Sequence, residues 1–366
     1  QLADLDLRSD LNRLATIGKG AFDQVKQLTK LVFPDSLTSV GNMSFANMPE
    51  LQEVHIGAGM TGSLSMAFTG DPKLSKLTVS EKNPVYSADD NVLYGMVTEE
   101  GKDYYNTTML KGKHLVLSLP NNTFTDYTVQ DGTVQIDAQA FRGNTNLKNV
   151  TLPESVRIIS SGAFNGDSLN RLDLPSNVEI VKDIVASVDT MTYEGTSLRE
   201  LGSMATHMVI KGGKDLSIAD SFLSPTVSTG YFGEGVKGVS FNQGAPETLV
   251  LPAGLETFSV SGMALSGDNA DASAVNVNKL NIYSANEQVR ALATESMRSV
   301  LNGMKNATFA WQGQLPKDFD VEGWLSSHIL DYTPLSVTLT GENITDKAAG
   351  QKVAVQATAA GGVNGR

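Results

Sequence analysis

The chain has 366 residues, and its 40 acidic and 28 basic side chains give a formal net charge of -12 at pH 7. This balance argues against a nucleic-acid-binding protein, which needs a basic face to release counterions. The sequence has no cysteine, so disulfides, thiolate metal sites and cysteine nucleophiles are excluded. No transmembrane segment is predicted, because no run approaches the roughly 18 uninterrupted apolar residues of a membrane helix.

The first 16 residues are predicted to form a short helix that caps the N-terminus. A repeat array needs such a cap, because its first repeat otherwise exposes an apolar end to water. The leucines of this segment fall roughly on one helical stripe: Leu2, Leu5, Leu7, Leu11 and Leu14.

From residue 17 a short pattern recurs every 23 residues. Its small-aromatic pair is Ala21-Phe22, then Ser44-Phe45, then Ala67-Phe68. An L-x-x-L-x-[F/I/V] pattern lies between successive pairs and has the same period. A fixed period in the twenties built on L-x-x-L-x-L is typical of a leucine-rich-repeat solenoid.

The L-x-x-L-x-[F/I/V] pattern predicts a short strand whose side chains alternate between two faces. Leu31 and Phe33 therefore point inward in the first repeat, while Lys30 and Val32 point outward. The predicted fold is a β-rich, right-handed leucine-rich-repeat solenoid of short parallel strands, with few helices and a short β segment at the C-terminus.

The period breaks between about residues 80 and 129. The segments 92–94 and 115–117 have the composition of strands, and Asn83-Pro84 and Asp90-Asn91 are turn signals. We interpret this part as a hairpin-like insertion within the solenoid, because the repeat resumes after it. The resumed repeats contain the pairs Ala140-Phe141 and Ala163-Phe164, which are again 23 residues apart.

Residues 17–182 resemble the BspA-like leucine-rich-repeat proteins of bacterial cell surfaces. In residues 136–181 the period, the Ala-Phe pair and the Leu-Pro strand end all agree with that family. The insertion sequence NPVYSADDNVLYG is similar to the N-P-x-Y…D-G-V-L-Y insert of the family, with Asn91 in place of the usual glycine. The resemblance implies a secreted or surface-tethered protein whose leader is absent from this chain. It also implies adhesion or another interaction with a host or matrix protein or glycan.

From residue 183 the repeats are degenerate, and strand-like runs at 208–210, 239–241, 249–251 and 280–283 predict irregular coils of the same solenoid up to about residue 330. A long polar loop is expected at 266–278. Ser284-x-x-Glu287 is a capping box that predicts a helix, with Gly303 as its stop. A strand is expected to follow at 307–311.

Residues 331–366 have an alternating pattern that predicts strands. So short a segment cannot bury a core of its own. It is either the start of a second, Ig-like β module or a strand pair docked on the end of the solenoid.

Nothing in the sequence indicates catalysis, a metal or a cofactor. None of the four histidines lies in a nucleophile or zinc motif. The acidic loops 89–91 and 268–271 lack the spaced ligands of an EF-hand, and we interpret them as turns. Four tyrosines could form an aromatic binding patch, although packing within strands explains them more simply: Tyr86, Tyr94, Tyr104 and Tyr105.

The outward strand positions are the candidate binding site, because a curved solenoid presents such a face for recognition. A merely solvated strand face is the alternative. One predicted column contains Val32, His55, Thr78, Thr151 and Asp173, and its neighbour contains Lys30, Glu53, Lys76, Asn149 and Arg171.

Three functional hypotheses follow. The first is a non-enzymatic surface protein, expected to be a monomer, that binds a protein or glycan through this face. The second is a structural spacer that presents other modules at the cell envelope. The third and weakest is a carbohydrate-active enzyme, which would need two carboxylates facing each other across a cleft.

Overall fold

The fold is seen in a computed structural model of the chain. The structure describes residues 4–7, 13–219, 227–242, 244, 246–262, 265, 279–306, 315–341 and 355–363.

The N-terminal repeats form short parallel strands, one repeat apart. Strands β1, β3, β5 and β6 make one parallel sheet in that order, and β2 pairs with β4. The inward positions Leu31, Val54 and Leu77 lie in register on neighbouring strands and are buried, which confirms the predicted alternation. The strands are β1 (Asp4–Asp6), β2 (Thr16–Ile17), β3 (Lys30–Val32), β4 (Ser39–Val40), β5 (Glu53–Ile56) and β6 (Lys76–Val79).

The helix predicted over residues 1–16 is wrong at β1, which pairs in parallel with β3. Leu5 lies opposite Leu31 in that pairing, and Leu7, two residues further on, is buried. The strand ends at Asp6, and Leu7 itself is helical. The first repeat is therefore covered by an added strand. Residues 1–3 and 8–12 of the predicted helix lie outside the described residues.

The insertion forms its own antiparallel strands, and the strands predicted at 92–94 and 115–117 are confirmed. The central strand β8 pairs with both β7 and β11, while β9 and β10 form a two-stranded arm. The strands are β7 (Tyr86–Asp89), β8 (Val92–Val97), β9 (Gly101–Lys102), β10 (Thr108–Met109) and β11 (Gly112–Ser118).

We call β7, β8 and β11 the inserted sheet, and its strands β8 and β11 are buried on both faces along part of their length. Tyr94 and Leu115 pack into the C-terminal hydrophobic core. The adjacent residues Leu93 and Val116 pack into the N-terminal core. Because neighbouring side chains of a strand point to opposite faces, the insertion separates two cores instead of hanging from the surface.

After the insertion the chain winds as two parallel columns. The even-numbered strands β12 to β26 form one column, and the odd-numbered strands β13 to β25 continue from β11 as the other. The strands predicted after residue 183 are thus regular in their pairing, although their sequence is degenerate. The strands are β12 (Asp126–Thr128), β13 (Thr133–Ile136), β14 (Asn149–Thr151), β15 (Ile158–Ile159), β16 (Ser168–Leu174), β17 (Ile180–Val181), β18 (Ser187–Tyr193), β19 (Glu200–Leu201), β20 (His207–Ile210), β21 (Leu216–Ala219), β22 (Thr229–Phe232), β23 (Val236–Phe241), β24 (Thr248–Val250), β25 (Thr257–Val260) and β26 (Asn281–Ser284).

Two helices and a long hairpin follow these columns. They are α1 (Glu287–Lys305), α2 (Val321–His328), β27 (Ile329–Gly341) and β28 (Val355–Val363). Strand β27 first pairs in parallel with β26 and then antiparallel with β28, so one strand runs from the solenoid into the hairpin. No helix among the described residues is long and apolar enough to cross a membrane.

Helix α1 differs from its prediction at both ends. Asn286, rather than Ser284, is its N-cap, and the Asn286 side chain accepts a hydrogen bond from the amide of Gln288. Ser284 instead ends β26. Gly303 lies inside the helix, which continues because Met304 is buried in the core. The loop predicted at 266–278 and the strand predicted at 307–311 lie outside the described residues.

Replacing Gly303 with alanine is expected to raise the free energy of unfolding by about 0.5–1 kcal/mol, because alanine is the better helix former. An added Cβ at residue 303 meets no atom within 4 Å. The measurement is chemical denaturation followed by circular dichroism. The Gly95→Ala variant is the control and should be destabilised, since its Cβ would lie 2.6 Å from the Tyr86 ring. Equal effects of the two changes would contradict this account.

Candidate functional site

The candidate residues of the first three repeats form a shallow depression on the N-terminal sheet. Two register rows cross it, and we call these six residues the N-terminal patch. The depression has a cavity volume of about 250 Å³. One row is Lys30, Glu53 and Lys76, and the other is Val32, His55 and Thr78.

Charge in the N-terminal patch is arranged around one carboxylate. Glu53 lies between Lys30 and Lys76, with N–O distances of 3.4 and 3.5 Å. The lysine side chains are half-exposed or more. Exposed ion pairs of this kind contribute about 0–1 kcal/mol. An acidic ligand could therefore replace Glu53 as the partner of either lysine at little cost in free energy.

The second row of the patch is less accessible to solvent at Val32 and is bonded internally at His55 and Thr78. His55 Nδ1 and Thr78 Oγ1 are 2.9 Å apart and share a hydrogen bond. Val32 was predicted to point outward to solvent, but only 5% of its surface is exposed. The reason is its position between two strands, opposite Asp6 of β1 and His55 of β5. Val32 therefore forms the floor of the depression.

The remaining candidates form a second group on β14 and β16. Asn149 lies opposite Arg171 and donates from Nδ2 to Asp126 Oδ1 over 2.7 Å. Arg171 Nε donates to Asp173 over 2.8 Å, and this hydrogen bond lowers the pKa of Asp173 below its usual value. Thr151 is exposed at the end of β14. The group is polar, solvated and largely paired within itself.

The ten residues do not form the two continuous columns that were predicted. Strands β3, β5 and β6 belong to one sheet, while β14 and β16 belong to another. The inserted sheet comes between these two runs of repeats in the chain. Its strand β11 pairs with β13, and none of its strands joins the N-terminal sheet, so the face is divided into two patches.

The buried histidine His114 has a structural environment. Its Nδ1 lies 2.7 Å from Asp137 Oδ1, and its Nε2 lies 2.6 Å from the carbonyl oxygen of Leu110. Burial lowers the pKa of His114, but the hydrogen bond and charge of Asp137 outweigh burial and leave it raised. Because both ring nitrogens are engaged, His114 has no free nitrogen for proton transfer.

The other described histidines also bond to nearby groups. His207 Nδ1 contacts Thr229 Oγ1 on the adjacent strand. His328 Nδ1 contacts both the hydroxyl of Ser327 and the carbonyl of Trp324 at the end of α2. The Ser327 hydroxyl itself lies within hydrogen-bonding distance of helix carbonyls. The contacts of Ser327 and His328 satisfy carbonyl groups at the C-terminal end of α2.

The sequence interpretation of the loop at 89–91 as a turn agrees with its backbone. Asp90 and Asn91 both have positive φ, at 45° and 61°, which is the requirement of a two-residue hairpin turn. Asn91 Oδ1 also accepts from the amide of Leu77. No group of three or more metal-ligating side chains occurs among the residues that the structure describes. The loop 268–271 lies outside them.

The four tyrosines separate into two environments. Tyr86 and Tyr94 are buried in the inserted sheet. Tyr86 donates to the carbonyl of Gly62, and Tyr94 shares a hydrogen bond with Tyr127. Tyr104 and Tyr105 pack edge to face at the tip of the β9–β10 arm and are 49% and 43% exposed. The four therefore do not form one patch.

Buried carboxylates form a set that the sequence interpretation missed. Three residues after the repeat phenylalanine, Asp71 and Asp167 are 2% exposed. Asp71 Oδ1 accepts from the amide of Met48, whereas Oδ2 has no partner among the described residues. Burial raises the pKa of both Asp71 and Asp167 to about 8. The recurring F-x-x-[D/N] spacing, with Asn144 as its third member, is the signal that could have revealed them.

Replacing Asp71 with asparagine is expected to stabilise the fold above neutral pH. The folded chain holds the Asp71 proton up to about pH 8, and the unfolded chain releases it near pH 4. The wild-type protein therefore loses stability as the pH rises from about 4 through 8. Asn144 shows that an amide fits, since its Nδ2 donates to the carbonyl of Phe141.

A difference of about four pKa units at about 1.4 kcal/mol per unit gives an expected gain of up to about 5 kcal/mol at pH 8, and the gain is close to zero at pH 4. The measurement is urea denaturation of both proteins across this range. Asp131→Asn, which removes one carboxylate at an exposed position, is the matched control for the loss of a negative charge. A gain from Asp71→Asn that is the same at pH 4 and pH 8 would refute the account.

Comparison with known proteins gives a family for the repeats. A family model described as the BspA type leucine rich repeat region matches six copies, over residues 5–99 and 119–196. No curated protein sequence matches the chain significantly.

A solved structure supports the solenoid fold. The crystal structure of the pneumococcal vaccine antigen PcpA is similar with a TM-score of 0.52 and 18% identity, over 77% of this chain and 63% of that one. The chain thus spans less than two thirds of that structure. A leucine rich cell surface protein from Faecalibacterium prausnitzii A2-165 gives a TM-score of 0.38 at 22% identity, over 52% of this chain and 56% of that one. With a TM-score below 0.5, this second likeness adds nothing to the fold assignment.

Proposed function

Because the repeats at residues 5–99 and 119–196 belong to the BspA-type leucine-rich-repeat family, we propose that this protein is a non-enzymatic interaction protein of the bacterial exterior. It is secreted or held at the cell surface, and it binds a protein or glycan of the host or matrix. The binding surface is the N-terminal patch, with the group on β14 and β16 as a second contact region.

The charge arrangement of the N-terminal patch carries this proposal. Lys30 and Lys76 share one carboxylate, Glu53, and both ammonium groups are half-exposed or more. On β1, Asp4 and Asp6 lie in register with Lys30 and Val32, so the two lysines are cationic points within an acidic surround. Such points favour a ligand with carboxylate or sulfate groups. His55 and Thr78 add hydrogen-bonding groups beside it.

The test is a binding screen of the purified chain on arrays of matrix proteins and glycans. The double variant Lys30→Glu/Lys76→Glu is expected to weaken a saturable interaction at least about tenfold, and added salt should weaken the wild-type interaction as well. The control is Lys111→Glu/Lys317→Glu, which changes the net charge equally at two exposed positions outside the patch. Equal binding by both double variants would overturn the proposed surface.

A spacer is the second candidate function, and one feature of the fold favours it. Strand β27 continues without interruption from its pairing with β26 into the hairpin with β28. A continuous strand connects two parts more stiffly than a flexible linker does. An array screen without any saturable ligand would favour this role over binding.

A further inference from the structure

The turns that carry the small-aromatic pairs are connected by a ladder of backbone hydrogen bonds. In each turn three amides, two residues apart, donate to three carbonyls of the next turn along the solenoid. We call this arrangement the turn ladder. In the first turn the amides of Gly20, Phe22 and Gln24 donate, in that order, to the carbonyls of Asn42, Ser44 and Ala46. In the second turn the amides of Met43, Phe45 and Asn47 donate to the carbonyls of Met66, Ala67 and Thr69. After the insertion the amides of Gln139, Phe141 and Gly143 donate to the carbonyls of Ser161, Ala163 and Asn165.

The turn ladder is interrupted at the third repeat. The equivalent donors there are the amides of Met66, Phe68 and Gly70, and none has a hydrogen-bond acceptor among the described residues. The cause is the insertion, which takes the place of the next turn. Beyond it, the carbonyl of Arg142, at a position that accepts in the other repeats, likewise receives no hydrogen bond within the described ranges.

A cleft lies at this interruption, with a cavity volume of about 340 Å³. Residues 68–72 line it together with Gln139, Arg142, Gly143 and Thr145. Phe68, Leu117 and Pro120 supply its apolar surface. Asn121 bridges one end, since its Nδ2 donates to the carbonyl of Pro72 over 2.6 Å.

Two ionisable side chains line the same cleft, Arg142 and the buried Asp71. The Arg142 side chain is exposed, and it forms no ion pair within the described part of the chain. Asp71 is 2% exposed, and its Oδ2 has no partner among the described residues. The cleft thus combines unmatched main-chain donors, an apolar surface and a cation that is available to a ligand.

We propose that this cleft binds a short acidic peptide segment of a partner protein, which takes the place of the missing turn. Carbonyls of the peptide accept from Phe68 and Gly70, and a carboxylate side chain pairs with Arg142. The spacing of the donors supports a peptide, because three carbonyls of a single main chain meet the same spacing in the other repeats. Main-chain pairing gives affinity and the side-chain contacts give specificity.

The test uses a phage-displayed library of random octapeptides, selected on the intact chain. Enriched peptides are expected to share an aspartate or glutamate at one position. They should lose at least about tenfold in affinity when Arg142→Glu removes the cation, and also when Thr145→Trp fills the cleft. Arg142 and Thr145 are both exposed, so the variants should fold, and circular dichroism checks this. Lys111→Glu is the control and should bind as the wild type does.

Hydrogen exchange locates the bound peptide. The amides of Phe68 and Gly70 are expected to gain protection when a selected peptide is added. The proposal is overturned if no peptide is enriched, if the enriched peptides bind Thr145→Trp as tightly as the wild type, or if the protection lies elsewhere. The cleft shares no residue with the N-terminal patch. The peptide proposal and the proposed function can therefore be refuted independently of each other.

Discussion

Replacement of Asp137 by alanine is expected to lower the free energy of unfolding by about 3–5 kcal/mol, the cost of removing one partner from a buried charged pair. Asp137 and His114 are 4% and 0% exposed, and their hydrogen bond measures 2.7 Å. Without the carboxylate, His114 must either lose its proton or remain charged without a partner. Urea denaturation followed by circular dichroism measures the loss.

The loss should depend on pH in a defined direction. Asp137 raises the pKa of His114 against the opposing effect of burial. The folded chain therefore binds the proton more tightly than the unfolded chain. The contribution of the pair is fully present below about pH 6.5 and is lost as the pH rises through the folded pKa. The Asp137→Ala variant should differ more from the wild type at pH 5.5 than at pH 9.

The same change should loosen the β9–β10 arm. His114 Nε2 bonds to the carbonyl of Leu110, and Gln135 accepts from the amide of Leu110, so this network attaches the end of the arm to the solenoid. Faster hydrogen exchange at residues 101–111 is the expected signature. The double variant His114→Leu/Asp137→Leu is the control and should be less destabilised than Asp137→Ala, because it leaves no unpaired charge. The account is contradicted if Asp137→Ala loses less free energy of unfolding than the double variant does.

The Phe45→Ala variant is expected to lose about 3–5 kcal/mol, the usual cost of truncating a buried aromatic side chain. Phe45 is fully buried and packs against three other rings, with centroid distances of 5.1 Å to Phe22, 5.3 Å to Phe33 and 5.8 Å to Phe68. The variant would leave a cavity at the centre of the N-terminal core. Thermal and chemical denaturation both measure the effect.

Phe22→Ala is the matched control for Phe45→Ala, because it removes the same side chain from the first repeat. Phe22 is only half-buried and contacts Phe45 from one side. Its loss should be less than about half of that for Phe45, since the cost follows the atoms removed from contact and the cavity left. Similar losses at the two positions would mean that the ring stack does not hold the N-terminal core together.

The periodic part of the fold could be predicted from the sequence because every repeat has the same pattern of inward apolar residues. Leu31, Val54 and Leu77 alternate inward, and backbone pairing then brings them into register. After residue 183 the consensus is lost, but strands such as β20 and β22 stay paired. Parallel pairing needs only alternate apolar positions and backbone groups that are free to form hydrogen bonds. The strand columns therefore continue where the repeat motif can no longer be recognised in the sequence.

What could not be predicted depends on contacts between distant segments. The strand Asp4–Asp6 is too short to be distinguished from a helix by its sequence until β3 is seen beside it. Val32 is an outward strand position, and its burial arises from neighbours on both sides. The division of the candidate face follows from the pairing of β11 with β13. The assignment of residues 331–366 to a second, Ig-like module or to a docked strand pair stays a prediction.

The most direct test of the central claim is a hydrogen-exchange footprint of the chain, saturated with the strongest ligand from the matrix-protein and glycan arrays. If the protein acts by binding through its strand face, protection will be concentrated in β3, β5 and β6. The Lys30→Glu/Lys76→Glu variant will then lose that protection. An array without a saturable ligand, or a footprint that leaves these three strands unprotected, would contradict the account.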